Sequence, residues 1–290
     1  MNNAELEARR ERLLHILRGL PGTAVAFSGG VDSAVVAKAA FLALGDRAIA
    51  MTSDSPSVPR SELAAARELA ALIGIRHEVL PTTEFDDPAY RRNAGDRCYF
   101  CKSELYTRIE SRLDSLGLTE VCSGANLDDL GDYRPGLTAA AEHRVRHPLQ
   151  EAGFTKSHVR ELARHWDLPV WDKPASPCLS SRLAPGLEVT PERTLRVEKA
   201  EAYLKSLGLR DGRVRYHEGD LARVEVPADE IARLLDADVR QSLSAALPGI
   251  GFRFVSLDLD GFRSGSLNGL VSLELKSRYS EARRPPATPA

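Results

Sequence analysis

The sequence predicts an α/β protein, a doubly wound parallel sheet with a second, smaller α+β domain. Three observations predict the class. From Thr23 to Ala125, short apolar runs alternate with runs long enough for helices. Each apolar run ends in small or polar residues, and the alternation gives way near Ala184 to one helix followed by closely spaced strands. Strands joined by helices pair in parallel, because the helix is the crossover that returns the chain to the same end of the sheet.

The opening "MNNAELEARRERLLHILRGL" places Leu6, Leu13, Leu17 and Leu20 on one helical stripe. It has no apolar core of a signal peptide, and Glu5, Glu7 and Glu11 argue against a transit peptide. "TAVAF" reads as a first buried strand ending at "SGG", and "AVVAKAAFLALG" as a helix closed by Gly45. "RAIAMTSD" is a second strand. Pro59 then opens "PRSELAAARELAALIG", with Leu63, Ala66, Leu69, Ala70 and Ile73 at helical spacing. "IRHEVL" is a third strand, and a helix over "FCKSELYTRIESRLDSLG" leads to a fourth, "TEVCSGA". Ligands of such sheets bind beyond the carboxyl ends of the strands, where "SGG", "TSD" with Ser53 and "SGAN" with Gly124 all fall.

Residues 1–185 are expected to form this domain, and 186–275 a small α+β domain. The second begins with a Thr190–Pro191 helix start, continues through the strands "RVRYHEG" and "LARVEV", and ends with a helical stretch after Pro227 and the strand "FRFVSLDL". Residues 276–290 are polar and proline-rich and are expected to be a disordered tail.

At 290 residues, two domains are the ordinary expectation. A net charge of −2 provides no overall field for nucleic acid or an anionic membrane. No apolar run reaches the ~20 residues of a membrane span. The chain reads as cytoplasmic, where thiols stay reduced and the CxxC of "RCYFCK" points to metal or redox chemistry rather than a disulfide.

The strongest local signal is "AFSGGVDSAVV". Two glycines after a buried strand turn backbone N–H groups toward an anion, and the following helix adds its positive end. Ser28 and Ser33 supply hydroxyls, and Gly29, Gly30 and Val31 supply the turn. Asp32 fits an anion cradle if a divalent cation, Mg²⁺, stands between it and phosphate. There is no GxxxxGK[ST], so this is not a Walker loop. SGGxDS resembles the PP-loop of the adenine-nucleotide α-hydrolases, which split ATP into AMP and pyrophosphate. "SGANLDD", with Asn126 and Asp128, resembles a second nucleotide- and metal-side loop of that superfamily.

"KPASPCLSSRL" reads as an ordered loop, since each proline restricts itself and its predecessor. If it folds over the strand ends, Cys178 faces the activated substrate and Arg182 can hold nucleotide phosphate with both arms. Cys122, inside the apolar run "TEVCSGA", reads instead as a buried inert thiol. The period of two puts Arg213 and Arg215 on one strand face, a pairing that suits a substrate phosphate. Glu201 and Glu225 are placed near the site, or are salt-bridge partners of those arginines; the sequence reads the same either way.

Taken together, "SGGVDS", "RCYFCK", "SGANLDD", "YRPG", "KPASPCLSSR", "VRYHEGDLARVEV" and "GFRSGSLN" resemble the LarE family of ATP-dependent sulfur transferases over residues 20–270. The resemblance implies adenylation of the carboxylates of pyridinium-3,5-biscarboxylic acid mononucleotide, then replacement of AMP by sulfur, toward a nickel-pincer nucleotide cofactor of lactate racemase. It implies homo-oligomers and transient contact with neighbouring enzymes of cofactor biosynthesis. It also implies one of two sulfur sources. In one, Cys98, Cys101 and Cys178 hold a [4Fe–4S] cluster that delivers sulfide. In the other, Cys178 sacrifices its own sulfur. A zinc site completed by Cys122, His143 or His147, and a dithiol relay from Cys98 and Cys101 to Cys178, are the competing readings of the thiols. A PP-loop ATPase that thiolates or amidates another acceptor such as tRNA is the competing function, and a nucleotide-binding regulatory module is the remaining one.

Overall fold

The computed structural model describes residues 3–130, 133–209, 211–263 and 265–281. In chain order its elements begin with α1 (Asn3–Arg18), β1 (Thr23–Ala26), α2 (Val31–Leu44), β2 (Ala48–Asp54), α3 (Arg60–Ile73), β3 (Arg76–Pro81), α4 (Pro88–Arg91) and α5 (Arg97–Leu116). They continue with β4 (Glu120–Cys122), α6 (Pro135–Glu142), α7 (Pro148–Glu151), α8 (Lys156–His165), α9 (Pro191–Ser206), β5 (Arg213–His217) and β6 (Leu221–Glu225). The last are α10 (Ile231–Leu235), α11 (Ala237–Ile250), β7 (Phe254–Leu257) and α12 (Leu273–Glu281). No helix among the described residues is long and apolar enough to cross a membrane.

The chain divides into two compact units, one of Met1–Glu84, Cys98–Ser176 and Lys276–Ala290, the other of Phe85–Arg97 and Pro177–Leu275. The first is built on a parallel sheet ordered β3-β2-β1-β4. Its central strand β1 is buried along its whole length, so both faces must be apolar. Val25 and Phe27 pack into one core layer with α1, α2 and α8 residues such as Leu17, Val35 and Leu162. Ala24 and Ala26 pack into the other with Met51, Leu105, Ile109 and Ala140. Val25 pairs with Ala50 on one side and Cys122 on the other. The chain leaves β1 toward β2 and later returns to β1's other edge as β4, so the β1–β4 boundary is the topological switch point. The crevice beyond their carboxyl ends is where the loops after β1 and β4 emerge.

The second unit holds a three-stranded sheet ordered β5-β6-β7, antiparallel between β5 and β6 and parallel between β6 and β7. The β5–β6 turn is made by Gly219 and Asp220, both at positive φ. The expected single boundary at 185/186 differs from this division, because two earlier stretches belong with the second unit. The Asn93 side chain donates to the carbonyls of Ala184 at 2.8 Å and Leu187 at 2.9 Å, and the Val189 amide donates to the Arg91 carbonyl at 2.8 Å. These ties bind residues 85–97 to the stretch after Pro177. The expected tail also differs at its start: 276–281 continue α12, where Tyr279 is buried with its ring 6.2 Å from Tyr99 and 6.1 Å from Tyr133. Residues 282–290, the rest of that expected tail, lie outside the described residues.

Candidate active site

In the first unit the loop after β1 turns through Gly29, whose φ of +70° is the left-handed conformation glycine adopts without strain. A side chain there would also come within 3.1 Å of the Ala66 Cβ on α3. Gly30 stands at the N-cap of α2 and has no side chain to cap the first helical amides. The two serines close on one another: their hydroxyls are 3.2 Å apart, the Ser28 amide donates to Ser33 Oγ at 3.2 Å, and Ser33 Oγ donates to the Gly30 carbonyl at 3.0 Å. Val31 begins α2 as a buried residue, and Ser53 lies half-buried near the end of β2.

Asp32 lies in the first turn of α2, where the helix dipole favours a carboxylate. Asn126 Nδ2 donates to its Oδ1 at 3.1 Å, and the Lys156 ammonium pairs with its Oδ2. The loop after β4 reaches this point because Gly124 lets it: a Cβ at Gly124 would stand 2.7 Å from the Ser33 amide nitrogen and 2.8 Å from the Asp32 carbonyl carbon. The loop is itself braced. Asn126 and Asp129 form a reciprocal cap, Gln150 Nε2 donates to the Asn126 carbonyl at 3.0 Å, and Asp128 Oδ2 accepts the Lys156 amide at 2.7 Å. Ser123 Oγ lies 2.8 Å from His147 Nδ1, and burial pushes that imidazole below its ordinary pKa. Asp32, Gly124, Asn126 and Asp128 are thus brought together with the phosphate loop. Lys156 and Gln150 join them without having been singled out by the sequence.

The thiols divide between the units, and none of the four cysteines is in a disulfide. Cys98, exposed, and Cys101, half-buried, fall three residues apart in the first turn of α5, on one helical face. Within either unit, no group of three or more His, Cys, Asp or Glu among the described residues has the spacing of a metal site. Cys122 is fully buried on β4, with Thr23 Oγ1 donating to its sulfur at 3.2 Å, and burial pushes its thiol up to about 12.

Cys178 is the half-buried N-cap of a short helical turn, Leu179–Arg182, in the second unit. Its carbonyl accepts from Ser181 N at 3.0 Å, Ser181 Oγ at 2.6 Å and Arg182 Nη1 at 3.0 Å. Arg182 is 2 % exposed and held by Glu201 at 3.0 and 3.2 Å, with a further contact to the Pro177 carbonyl. The guanidinium is buried under the cysteine turn, where a charge removed from water keeps close partners. Ser180 Oγ is tied to Tyr90 OH at 2.8 Å.

The two arginines of β5 also part company. Arg215 is 6 % exposed and pairs with the fully buried Glu225 at 2.8 Å, and Glu225 also takes Arg223 at 3.2 Å and Ser266 Oγ at 3.1 Å. Arg213 stacks over Phe262 with its guanidinium 5.2 Å from the ring, and among the described residues no carboxylate lies within ion-pair distance. Burial is the main cause holding its pKa below the usual arginine value. Glu201 bridges Arg182 to the amide of Val214, which donates to it at 3.2 Å.

No protein-family model matches the chain. It is 38% identical over 270 residues to the pyridinium-3,5-bisthiocarboxylic acid mononucleotide synthase of Lactiplantibacillus plantarum, covering 93% of this chain and 97% of that protein. It is 44% identical over 267 residues to an uncharacterized protein of Synechocystis sp., covering 92% and 99%. A tRNA-specific 2-thiouridylase of Azorhizobium caulinodans is 31% identical over 191 residues, covering 52% of this chain and 48% of that protein.

Proposed function

The chain belongs to the family of pyridinium-3,5-bisthiocarboxylic acid mononucleotide synthases, and from that premise we propose that it is an ATP-dependent sulfurtransferase. It adenylates the carboxylates of pyridinium-3,5-biscarboxylic acid mononucleotide, releases pyrophosphate, and exchanges AMP for sulfur to leave thiocarboxylates. The observation that carries this reading is the SGGVDS loop at the β1–β4 switch point, uncapped at the head of α2 and carrying Asp32 in its first turn.

The amides of Gly29, Gly30 and Val31 and the hydroxyls of Ser28 and Ser33 bind nucleotide phosphate, with Ser53 and Gly124 bordering the same crevice. Asn126 orients the Asp32 carboxylate, and its hard oxygen is the donor chemistry Mg²⁺ takes. A substrate carboxylate oxygen attacks the α-phosphorus, the bond to the bridging oxygen breaks, and pyrophosphate leaves with the electron pair. In the second unit Arg213, stacked and without a carboxylate partner among the described residues, is the guanidinium available to the mononucleotide phosphate.

Cys98, Cys101 and Cys178 are soft thiol donors of the kind a [4Fe–4S] cluster takes, and we assign the sulfur source to them. Cys98, Cys101 and Cys178 are the thiols that would hold such a cluster, and the chemistry it would supply when bound is sulfide to replace AMP. Two of the three thiols already share a helical face, which supports this reading over sacrifice of Cys178 alone. Homo-oligomerisation belongs to the same reading, supported by the exposed Phe254 and Val255 on the edge strand β7.

Product analysis tests the reaction class. Wild-type protein with ATP, Mg²⁺ and the mononucleotide should yield AMP and pyrophosphate, and Asp32→Ala should yield neither while remaining folded. ADP and phosphate as products would contradict the reading.

A further inference from the structure

Gly136 is the second residue of α6, inside the helix rather than beyond its end. Glycine weakens a helix relative to alanine, so its position asks for a reason outside α6. The reason is the first turn of α5. A Cβ on Gly136 would stand 3.0 Å from Lys102 Cγ and 3.4 Å from the Cys98 carbonyl oxygen. The bare backbone of α6 therefore rests on the turn that carries Cys98 and Cys101. The far end of α6 holds α5 too. Glu142 accepts the Tyr99 hydroxyl at 2.7 Å, from a residue that stands between the two cysteines in sequence. The His143 ring lies 5.7 Å from that of Tyr106, and its Nδ1 lies 3.0 Å from Glu110.

The near end of α6 leads to the phosphate loop. Arg134, the residue before the helix, pairs with Asp129 Oδ1 at 2.8 Å. The other oxygen of Asp129 accepts the Asn126 amide at 2.9 Å, and Asn126 Nδ2 donates to Asp32 at 3.1 Å. Pro135 joins Arg134 to Gly136 and stiffens the link by fixing its own φ. An unbroken series of contacts thus runs from Asp32 to Cys98, and all of it lies in the first unit. Its weakest step is the Arg134–Asp129 pair. That arginine side chain is 50% exposed, so the pair is a solvated one of small stabilising worth, able to tighten or loosen without unfolding the helix.

We propose that Arg134 and Gly136 are positioning residues that hold the Cys98–Cys101 turn in register with the phosphate loop, so that nucleotide bound at the loop tightens the cysteine turn. This rests on the reading of the chain as an enzyme that binds ATP at SGGVDS and supplies sulfur from its thiols. Sulfur is of use only after the carboxylate has been activated, and a link from the nucleotide to the thiols matches that order. Nucleotide with its metal braces Asp32 and Asn126, Asp129 then presents a fixed carboxylate to Arg134, and α6 settles on the turn.

The test uses the full chain, reduced and without added iron, and reads how fast iodoacetamide alkylates Cys98 and Cys101, with and without ATP and Mg²⁺. Mass spectrometry of the peptides resolves each thiol, and the fully buried Cys122 reports global opening in the same digest. ATP binding is followed by calorimetry. In wild type, ATP should slow alkylation of the pair about 5-fold. Gly136→Val should speed it about 10-fold without nucleotide, because an overpacked contact forces α6 off the turn. Arg134→Gln should speed it roughly 2- to 5-fold. Both variants should lose the ATP effect while still binding ATP, and Arg134→Lys should keep part of it. Gly136→Ala is measured alongside, so that a folding defect in the valine variant does not decide the matter. An ATP effect unchanged in Gly136→Ala and Arg134→Gln would mean that nucleotide shields the thiols directly and would overturn the proposal. Wild-type alkylation indifferent to bound ATP, or variants that label Cys122 in step with the pair, would overturn it too, and the ATP reading would stand. Wild-type protein that binds no ATP would overturn both.

Discussion

Arg182 and Glu201 face each other at 3.0 and 3.2 Å beneath the turn that carries Cys178, with the arginine side chain 2% exposed and the glutamate 16%. The same guanidinium donates to the Cys178 carbonyl, so the pair sets where the thiol stands. Removing the arginine leaves the half-buried Glu201 carboxylate without its guanidinium and also removes the bonds to the Pro177 and Cys178 carbonyls, a loss of up to about 3–5 kcal/mol. Arg182→Met should therefore lower stability in urea more than Glu201→Gln, and both should speed alkylation of Cys178 by loosening its turn. Unchanged stability and unchanged labelling would mean the pair is incidental.

The neighbouring arginines of β5 should separate cleanly. Arg215→Ala takes one guanidinium from the fully buried Glu225, leaving Arg223 and Ser266 against it, so its main effect should be on stability. Arg213→Ala breaks no ion pair among the described residues and should leave the unfolding midpoint near wild type. It should instead weaken binding of the mononucleotide by a charge-assisted contact, about 1.5–3 kcal/mol, with ATP affinity unaffected. Equal losses for both ligands would remove Arg213 from the substrate phosphate.

For the cysteines the discriminating signal is iron. Anaerobically reconstituted protein should be brown, with iron and sulfide in near-equal amounts, and serine at Cys98, Cys101 or Cys178 should bleach it. Cys122→Ser should stay coloured, because that thiol is fully buried and pushed up to about 12. Chelation of the iron should stop sulfur transfer without stopping adenylation. A colourless enzyme whose Cys178 becomes dehydroalanine on turnover would replace the cluster with sacrifice.

Stability should fall on mild acidification. His77 and His147 are both pushed below the ordinary histidine pKa, chiefly by burial. The unfolded chain then takes up protons near pH ~6.5 that the folded chain refuses, so the contribution is complete above that value and is lost as pH falls toward the folded pKa values. The urea midpoint of the first unit should drop between about pH 7.5 and about pH 5.5. His77→Gln with His147→Gln should flatten that slope; an identical slope in the double variant would assign it to other groups.

The sheet was readable because β1 and β2 are apolar throughout and are punctuated by Gly and Pro, signals of short range. The phosphate loop was readable for the same reason, since strand, glycines and helix are contiguous in sequence. What the sequence hid depends on partners distant in the chain. Arg182 reads from its motif as a phosphate ligand, and its pairing with Glu201, 19 residues on, leaves no local trace. Residues 85–97 looked like part of the first domain, yet Asn93 is bonded to Ala184 across 91 residues. Lys156 did leave a local trace, a lysine directly after the Thr155 cap and so at the wrong end of a helix dipole. Tyr279 gave the tail an anchor that polar composition concealed.

In the proposed reaction ATP activates the substrate's carboxylate before sulfur replaces oxygen, and the carboxylate oxygen records whether it does. Pyridinium-3,5-biscarboxylic acid mononucleotide made with heavy oxygen in its carboxylates is turned over with ATP and a sulfur source, and the nucleotide products are weighed by mass spectrometry. Heavy oxygen should appear in AMP, pyrophosphate should be unlabelled, and the thiocarboxylate should have lost one oxygen for each sulfur gained. AMP without label alongside a thiocarboxylate product, or label carried into a phosphate released with ADP, would contradict it.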